Sequence, residues 1–203
     1  MDLKSTYDRI ARDWNNDHTN DDWWVEGVAK FTSLLDPGAT VLDVGCGSGV
    51  KSEILQGKGM KVTGIDFSEG MLEIAKRRVP NGNFLSFDLY DLSGLTEKFD
   101  AIFAQAVLLH IPKKDVGGII HSLKGKLNTG GYFYIAVKER RDGEGEEELV
   151  KENDYGYDYE RFFSYFTAEE MRKFLLDEGL EIVYEIVTHS GRRNWIQLIG
   201  KYR

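Results

Sequence analysis

The sequence predicts an α/β domain built on a doubly wound, mainly parallel sheet. Three observations lead there. Short apolar strands alternate with stretches of helical spacing, a glycine-rich turn follows the first strand, and Asp43, Asp66 and Asp88 stand at or near the ends of the first three strands. At 203 residues the chain suits a single domain over 1–203 with a full core, and 41% hydrophobic content is ordinary for one. No internal repeat or interdomain linker interrupts it.

The elements follow in order. Leu3, Tyr7, Ile10, Ala11 and Trp14 mark one face of a first helix, and Trp24, Val28, Phe31 and Leu35 one face of a second. Asp36, Pro37 and Gly38 end it, so residues 1–36 read as an N-terminal helical cover. Strands are expected at Thr40 to Val44, Lys61 to Ile65, Asn83 to Phe87 and Phe99 to Ala104, with helical stretches between them. A fifth, Tyr132 to Lys138, is entered through the turn-rich Asn128, Thr129, Gly130 and Gly131. Residues 140–160, rich in acids, glycines and tyrosines, hold no sustained period and read as an insertion. Order resumes at Thr167, whose hydroxyl can cap a helix while Glu170 completes a capping box and Gly179 supplies the stop. Two last strands, Leu180 to Thr188 and Asn194 to Ile199, are joined by Ser190 to Arg193, short enough for a hairpin. Right-handed crossovers gather the C-terminal ends of the parallel strands along one rim, where open α/β sheets bind ligands.

Composition narrows the function classes. A formal net charge of −8 argues against a nucleic-acid partner held mainly through phosphates, and basic pairs such as Arg172 with Lys173 or Arg192 with Arg193 are too small to reverse that. The single cysteine, Cys46, excludes an intrachain disulfide. The start MDLKSTYDRI has no apolar signal core, and the longest nearly apolar run, Ala101 to Leu109, is too short to span a bilayer, so no membrane partner and a cytoplasmic location are expected. No metal site is indicated.

The glycine spacing describes a binding loop. In VLDVGCGSG, Gly45, Gly47 and Gly49 let the backbone turn tightly beneath a ligand, and the helix that follows offers free N–H groups to a negative group. Asp66 closes the second strand in KVTGIDFSEGM, 23 residues after Asp43, where an acid accepts hydrogen bonds from ribose hydroxyls. Asp88 follows the third strand in NFLSFDLYDL.

With these three acids and the glycine turn, the chain resembles the class I S-adenosylmethionine-dependent methyltransferases of small-molecule type, from about Tyr7 to the last strand. The resemblance implies a Rossmann-like seven-stranded sheet with the last strand antiparallel, and S-adenosyl-L-methionine as cofactor. It implies that Asp43, Gly45, Cys46 and Gly47 meet the methionine part, that Asp66 takes both ribose hydroxyls, and that Phe67 and Met71 flank the adenine. Asp88 would accept from the adenine amino group while Leu89 packs on the ring, and Ala104 and Gln105 would touch the methionine end. Each residue also has a plain reading: a packing turn, a polar strand end, an inert buried thiol at Cys46.

The stretch FDAIFAQAVLLHIP places His110 where many of these enzymes have a histidine before an apolar residue and proline. It could serve as general base, or as a wall of the site. The leading helix of the family often folds over the cofactor, which makes Tyr7 a second catalytic candidate; a plain helix docked on the core fits the same pattern. FAQAVLL is nothing like the Asn/Asp-Pro-Pro-Tyr/Phe motif of many amino-methylating enzymes, which disfavours nucleic-acid bases or protein glutamine as acceptors. Tyr155, Tyr157 and Tyr159 could form an aromatic lid suited to a cationic or ring-bearing acceptor, or belong to a solvated acidic loop. Methyl transfer to a small molecule is the expected function. A cofactor-binding regulatory or structural protein without catalysis, a nicotinamide oxidoreductase (whose GxGxxG differs from this GxGxG) and an aminopropyl transferase are the alternatives.

Overall fold

The computed structural model describes residues 2–18, 22–191 and 193–203. Helices α1 (Leu3–Asp17) and α2 (Val25–Ser33) come first, followed by β1 (Thr40–Val44), α3 (Val50–Gly57), β2 (Lys61–Asp66), α4 (Glu69–Arg78) and β3 (Asn83–Ser86). Then come β4 (Phe99–Gln105), a single 3-10 turn (Leu108–His110), α5 (Lys113–Lys124) and β5 (Leu127–Lys138). The chain ends with β6 (Glu147–Glu152), β7 (Tyr159–Ser164), α6 (Ala168–Asp177), β8 (Leu180–Ser190) and β9 (Arg193–Tyr202).

Seven strands form one sheet in the order β3-β2-β1-β4-β5-β9-β8. The first five pair in parallel, and β9 runs antiparallel to both β5 and β8. The sheet is therefore Rossmann-like, with the last strand reversed. Because β1 sits between β2 and β4, the strand order reverses there, and a crevice opens at the C-terminal ends of these strands.

Alternation along the central strands fills two cores. Leu42, Ile102 and Phe133 face α5 and α6, where Val116, Leu123, Met171 and Leu175 are buried against them. Val41, Phe103 and Tyr134 face Val28 and Phe31 of α2 and Leu55 of α3. Phe103 and Tyr134 stack at 4.6 Å, and the Tyr134 hydroxyl donates to Gln197 Oε1 at 2.7 Å. Gln197 Nε2 in turn donates to the carbonyl of Trp23, which ties the segment before α2 to β9.

Local chemistry sets the element ends, at α6 as expected. Thr167 and Glu170 form the reciprocal capping box of α6, Gly179 follows that helix at φ 74°, and Ser68 caps α4 by accepting from the Met71 N–H. In the β8–β9 hairpin, Ser190 pairs with Arg193 around Gly191 at φ 54°; Arg192, assigned to this turn, lies outside the described residues. The third strand stops at Ser86, one residue short of Phe87. The fifth begins earlier than expected, at Leu127: Leu127 already pairs with Phe99, and a register shift before Ala101 absorbs the turn-like Asn128 to Gly131.

The main departure is residues 140–160. Where no sustained period was legible, β6 and β7 form an antiparallel hairpin that runs on to Ser164. Most of β6 is exposed, so it needs no apolar alternation, and β7 is covered through contacts remote in sequence. Thr6 Oγ1 donates to the carbonyl of Glu160, Arg9 Nη1 to that of Asp158, and Tyr157 OH to Asp13 Oδ2 at 2.6 Å, so the hairpin is strapped to α1. No helix among the described residues is long and apolar enough to cross a membrane.

Candidate active site

The turn after β1 is held by backbone geometry that only glycine adopts freely. Gly45, Gly47 and Gly49 sit at φ 63°, 51° and 79°, and a Cβ at Gly45 would lie 2.5 Å from Val107 Cγ2. Asp66 fastens this turn to the end of β2, because one carboxylate oxygen accepts the Gly47 N–H at 2.9 Å and the other the Ser68 N–H at 2.8 Å. The Gly47 donor is thus satisfied within the protein rather than offered to a ligand. Asp43 is buried and accepts from Ser52 Oγ at 2.6 Å. Burial pushes Asp43 up to about 7 and Asp66 up to about 6.

One cavity lies along this rim, and most of the expected residues line it: Tyr7, Asp43, Gly45, Cys46, Gly47, Asp66, Phe67, Met71, Leu89, Gln105 and His110. Two do not. Asp88 is exposed in a short turn, where its carboxylate accepts the Tyr90 N–H, and Phe87 lines the cavity instead. Ala104 is fully buried in the core, since its side chain points to the opposite face of the strand from Phe103 and Gln105. Cys46 is buried, and burial raises its thiol well above the ordinary range, which leaves it inert.

The polar atoms of this cavity have a consistent character. Among the described residues, the buried side-chain polar atoms without a partner are Trp24 Nε1, Ser48 Oγ and Gln105 Oε1, and all three residues line it. A buried donor, a hydroxyl and a buried acceptor left open together call for a ligand that carries both acceptors and donors. Lys51 Nζ, 3.5 Å from the centre of the Trp24 ring, adds a cation beside the donor, while Asp43 adds an acid near the turn. The zwitterionic amino-acid end and the ribose of S-adenosylmethionine present that combination, so the residues fit the expected cofactor. Among the described residues no cluster of His, Cys, Asp or Glu could hold a metal ion.

Tyr7 and His110 meet across 103 positions of sequence. Tyr7 OH lies 2.7 Å from His110 Nε2, and His110 Nδ1 lies 2.7 Å from the carbonyl oxygen of Phe162. A carbonyl only accepts, so Nδ1 carries the proton and Nε2 accepts the tyrosine hydroxyl. Burial drives His110 down to about 3 and raises the Tyr7 phenol, so both are neutral near pH 7. With both ring nitrogens engaged, His110 reaches a ligand only through Tyr7.

The expected tyrosine lid is placed differently. Tyr155, Tyr157 and Tyr159 pack on one another, Tyr157 also sits under Arg9, and none of the three lines the cavity. The same hairpin instead contributes Arg161 and Phe163, joined by Lys138 at the end of β5 and by the stacked pair Trp23 and Trp195. Sequence reasoning missed these residues, as it missed Lys51 and Phe87. Only Phe87, one position before Asp88 at a strand end, carried a local signal.

A family profile described as Methyltransferase domain matches residues 17–185. The ubiquinone biosynthesis O-methyltransferase of Coxiella burnetii is 31% identical over 137 residues, which cover 59% of this chain and 58% of that one. Its Haemophilus ducreyi counterpart is 30% identical over 159 residues, 67% of this chain and 63% of that one. The chain thus spans less than two thirds of the length of these curated relatives. Among solved structures, Burkholderia thailandensis 1,6-didemethyltoxoflavin-N1-methyltransferase, with 1,6-didemethyltoxoflavin and S-adenosylhomocysteine bound, superposes with a TM-score of 0.78 at 20% identity, covering 98% of this chain and 87% of that one. Magnesium protoporphyrin IX methyltransferase from Synechocystis PCC 6803, with S-adenosylmethionine bound, gives 0.72 at 20% identity over 99% and 95%.

Proposed function

Since the chain belongs to the S-adenosylmethionine-dependent methyltransferases, we propose that it transfers a methyl group to a small-molecule acceptor held beside Tyr7. The observation that carries this is the meeting in one cavity of the unpaired polar atoms of Trp24, Ser48 and Gln105 with the Tyr7–His110 pair. When bound, S-adenosylmethionine supplies a methyl group already activated by its sulfonium.

The chain's own residues then bind, orient and move a proton. Trp24 Nε1 and Lys51 would hold the cofactor's carboxylate, and Gln105 Oε1 and Asp43 its ammonium. Asp66 has lone pairs left for the ribose hydroxyls after its two backbone bonds, and Phe67, Met71, Phe87 and Leu89 supply apolar walls for the adenine. Helix α1 and the β6–β7 hairpin cover the cavity, which favours water exclusion and a fixed alignment of donor and acceptor; such alignment is worth ~7–11 kcal/mol.

Tyr7 O takes the proton of the acceptor while its own proton passes to His110 Nε2. A hydroxyl becomes strongly acidic as its oxygen is alkylated, so an imidazole held near 3 is basic enough for this late transfer, which favours an oxygen acceptor. The relatives' acceptors belong to the relatives; the acceptor here is proposed as a small molecule only.

The test uses methyl-labelled S-adenosylmethionine with a metabolite extract, and separately with RNA and with a protein fraction, followed by mass spectrometry. Label in a small molecule heavier by one methyl substitution is expected. Label confined to RNA or protein contradicts the proposal.

A further inference from the structure

Lys138 ends β5 at the ligand-binding rim and lines the cavity, yet among the described residues no carboxylate lies within ion-pair distance of its ammonium. Its neighbours are aromatic: Nζ stands 3.8 Å from the centre of the Phe163 ring and 6.0 Å from that of Trp195. The acids nearest in its electrostatic surroundings are already taken. Both oxygens of Glu152 accept from Arg161 at 2.6 Å, and both oxygens of Glu144 accept from Arg193. Arg161 and Arg193 then add positive field to the same region, and burial with these two cations lowers Lys138 to about 8. A half-buried ammonium in the positive field of two arginines, stabilised by two π faces but by no carboxylate of its own, gains from an anion that joins it.

The place of this cation matters as much as its charge. The strand order puts β4 between β1, which feeds the glycine turn, and β5, which carries Lys138. Phe163, the ring beneath the ammonium, is also 4.9 Å from the His110 ring, and His110 accepts from Tyr7. Trp195 pairs with Lys138 in the β5–β9 register and stacks on Trp23 at 3.8 Å. The cation thus stands within an aromatic enclosure that adjoins the Tyr7–His110 pair.

We propose that this end of the cavity is the acceptor subsite and takes an anionic, ring-bearing molecule, its negative group paired with Lys138 and its ring packed among Phe163, Trp195 and Trp23. The inference rests on the methyl-transfer reading for the word acceptor; the anion preference itself does not. Of the expected cationic or ring-bearing acceptor it keeps the ring and drops the cation, because Glu152 and Glu144 are tied up by Arg161 and Arg193 and neither lines the cavity.

The experiment compares 2-naphthoate with 2-naphthamide, which match in ring and size but differ in charge, by calorimetry with and without saturating S-adenosylhomocysteine. The carboxylate is expected to bind at least about tenfold more tightly than the amide, a difference within the range of one close charge pair. Lys138→Met should erase that preference, and Lys138→Arg should keep it. Equal binding of acid and amide, no binding of either, a preference that survives Lys138→Met, or displacement of 2-naphthoate by S-adenosylhomocysteine would overturn the proposal. S-adenosylhomocysteine affinity, measured on the same samples, bears on the methyl-transfer reading alone, so the two can fail separately.

Discussion

Tyr7 and His110 share one hydrogen-bonded path, and its geometry separates the roles proposed for them. His110 is oriented by the Phe162 carbonyl and presents a lone pair to Tyr7, so on the proposed function it acts through the tyrosine. Tyr7→Phe is expected to lower turnover by ~10²-fold or more while leaving S-adenosylhomocysteine affinity within about twofold. His110→Ala should do the same, and the double variant should be little worse than either single one, as for residues that work as a unit. With His110 held down to about 3, turnover should show no acid limb from this group between about pH 5 and 8; such a limb, absent from His110→Ala, would contradict the path. Asp43 behaves in the opposite sense. Its folded-state pKa is raised to about 7 by burial, so the stability tied to its protonated form is complete below about pH 4 and is lost as pH rises through 7. A ligand ammonium favours the ionised form, so affinity for S-adenosylhomocysteine should climb by up to about tenfold per unit as pH rises toward 7. The slope should flatten in Asp43→Asn; a slope unchanged there would remove Asp43 from the ligand. The positions of Asp43, Asp66 and Gln105 at the cavity were legible because each lies within a local motif. Those of Lys138 and Arg161 were not, since nothing near them in sequence announces the cavity they enter.

Two elements allow stability and binding to be separated. Gly45 sits at φ 63° with Val107 across from it, so Gly45→Ala adds left-handed strain and pushes a side chain that itself lines the cavity. A cost of about 1–3 kcal/mol is expected, with S-adenosylhomocysteine binding weakened at the same time. Thr167→Ala removes one half of a capping box on α6, whose residues do not line the cavity. It should cost about 1 kcal/mol, or roughly 2–4 °C in Tm, with affinity unchanged. Denaturant midpoints and calorimetry on both variants check this, and a Thr167→Ala variant that loses affinity would place α6 in the site. The same contrast explains what the sequence disclosed. The capping box and the glycine turn are short-range devices with residue types fixed by backbone chemistry. The β6–β7 hairpin has no such device: its order comes from Thr6, Arg9 and Asp13, more than a hundred residues away, and an exposed face lets β6 keep its charges.

At the scale of the whole molecule, parallel order brings the ends of β1, β2, β4 and β5 to one rim, and the reversal of strand order at β1 opens the crevice there. This much followed from alternating strands and helices together with right-handed crossovers. The partnership of α1 with β7 did not follow, because α1 is legible as a helix while its contact with β7 exists only in three dimensions. A ligand bound only by the folded chain stabilises all of it, so S-adenosylhomocysteine at a hundredfold excess over Kd should add ~2.7 kcal/mol, a rise of roughly 5–10 °C in Tm. On the proposed function this cavity holds the cofactor by way of Asp66, and calorimetric titration of the parent protein and of folded Asp66→Ala with S-adenosylhomocysteine tests that directly. Affinity in the micromolar range is expected for the parent and a loss of about 30-fold to 1,000-fold in the variant, from removal of a charged acceptor that would take two ribose hydrogen bonds and that fastens the glycine turn. Equal affinity in the two proteins, or binding of NAD in place of S-adenosylhomocysteine, would contradict it.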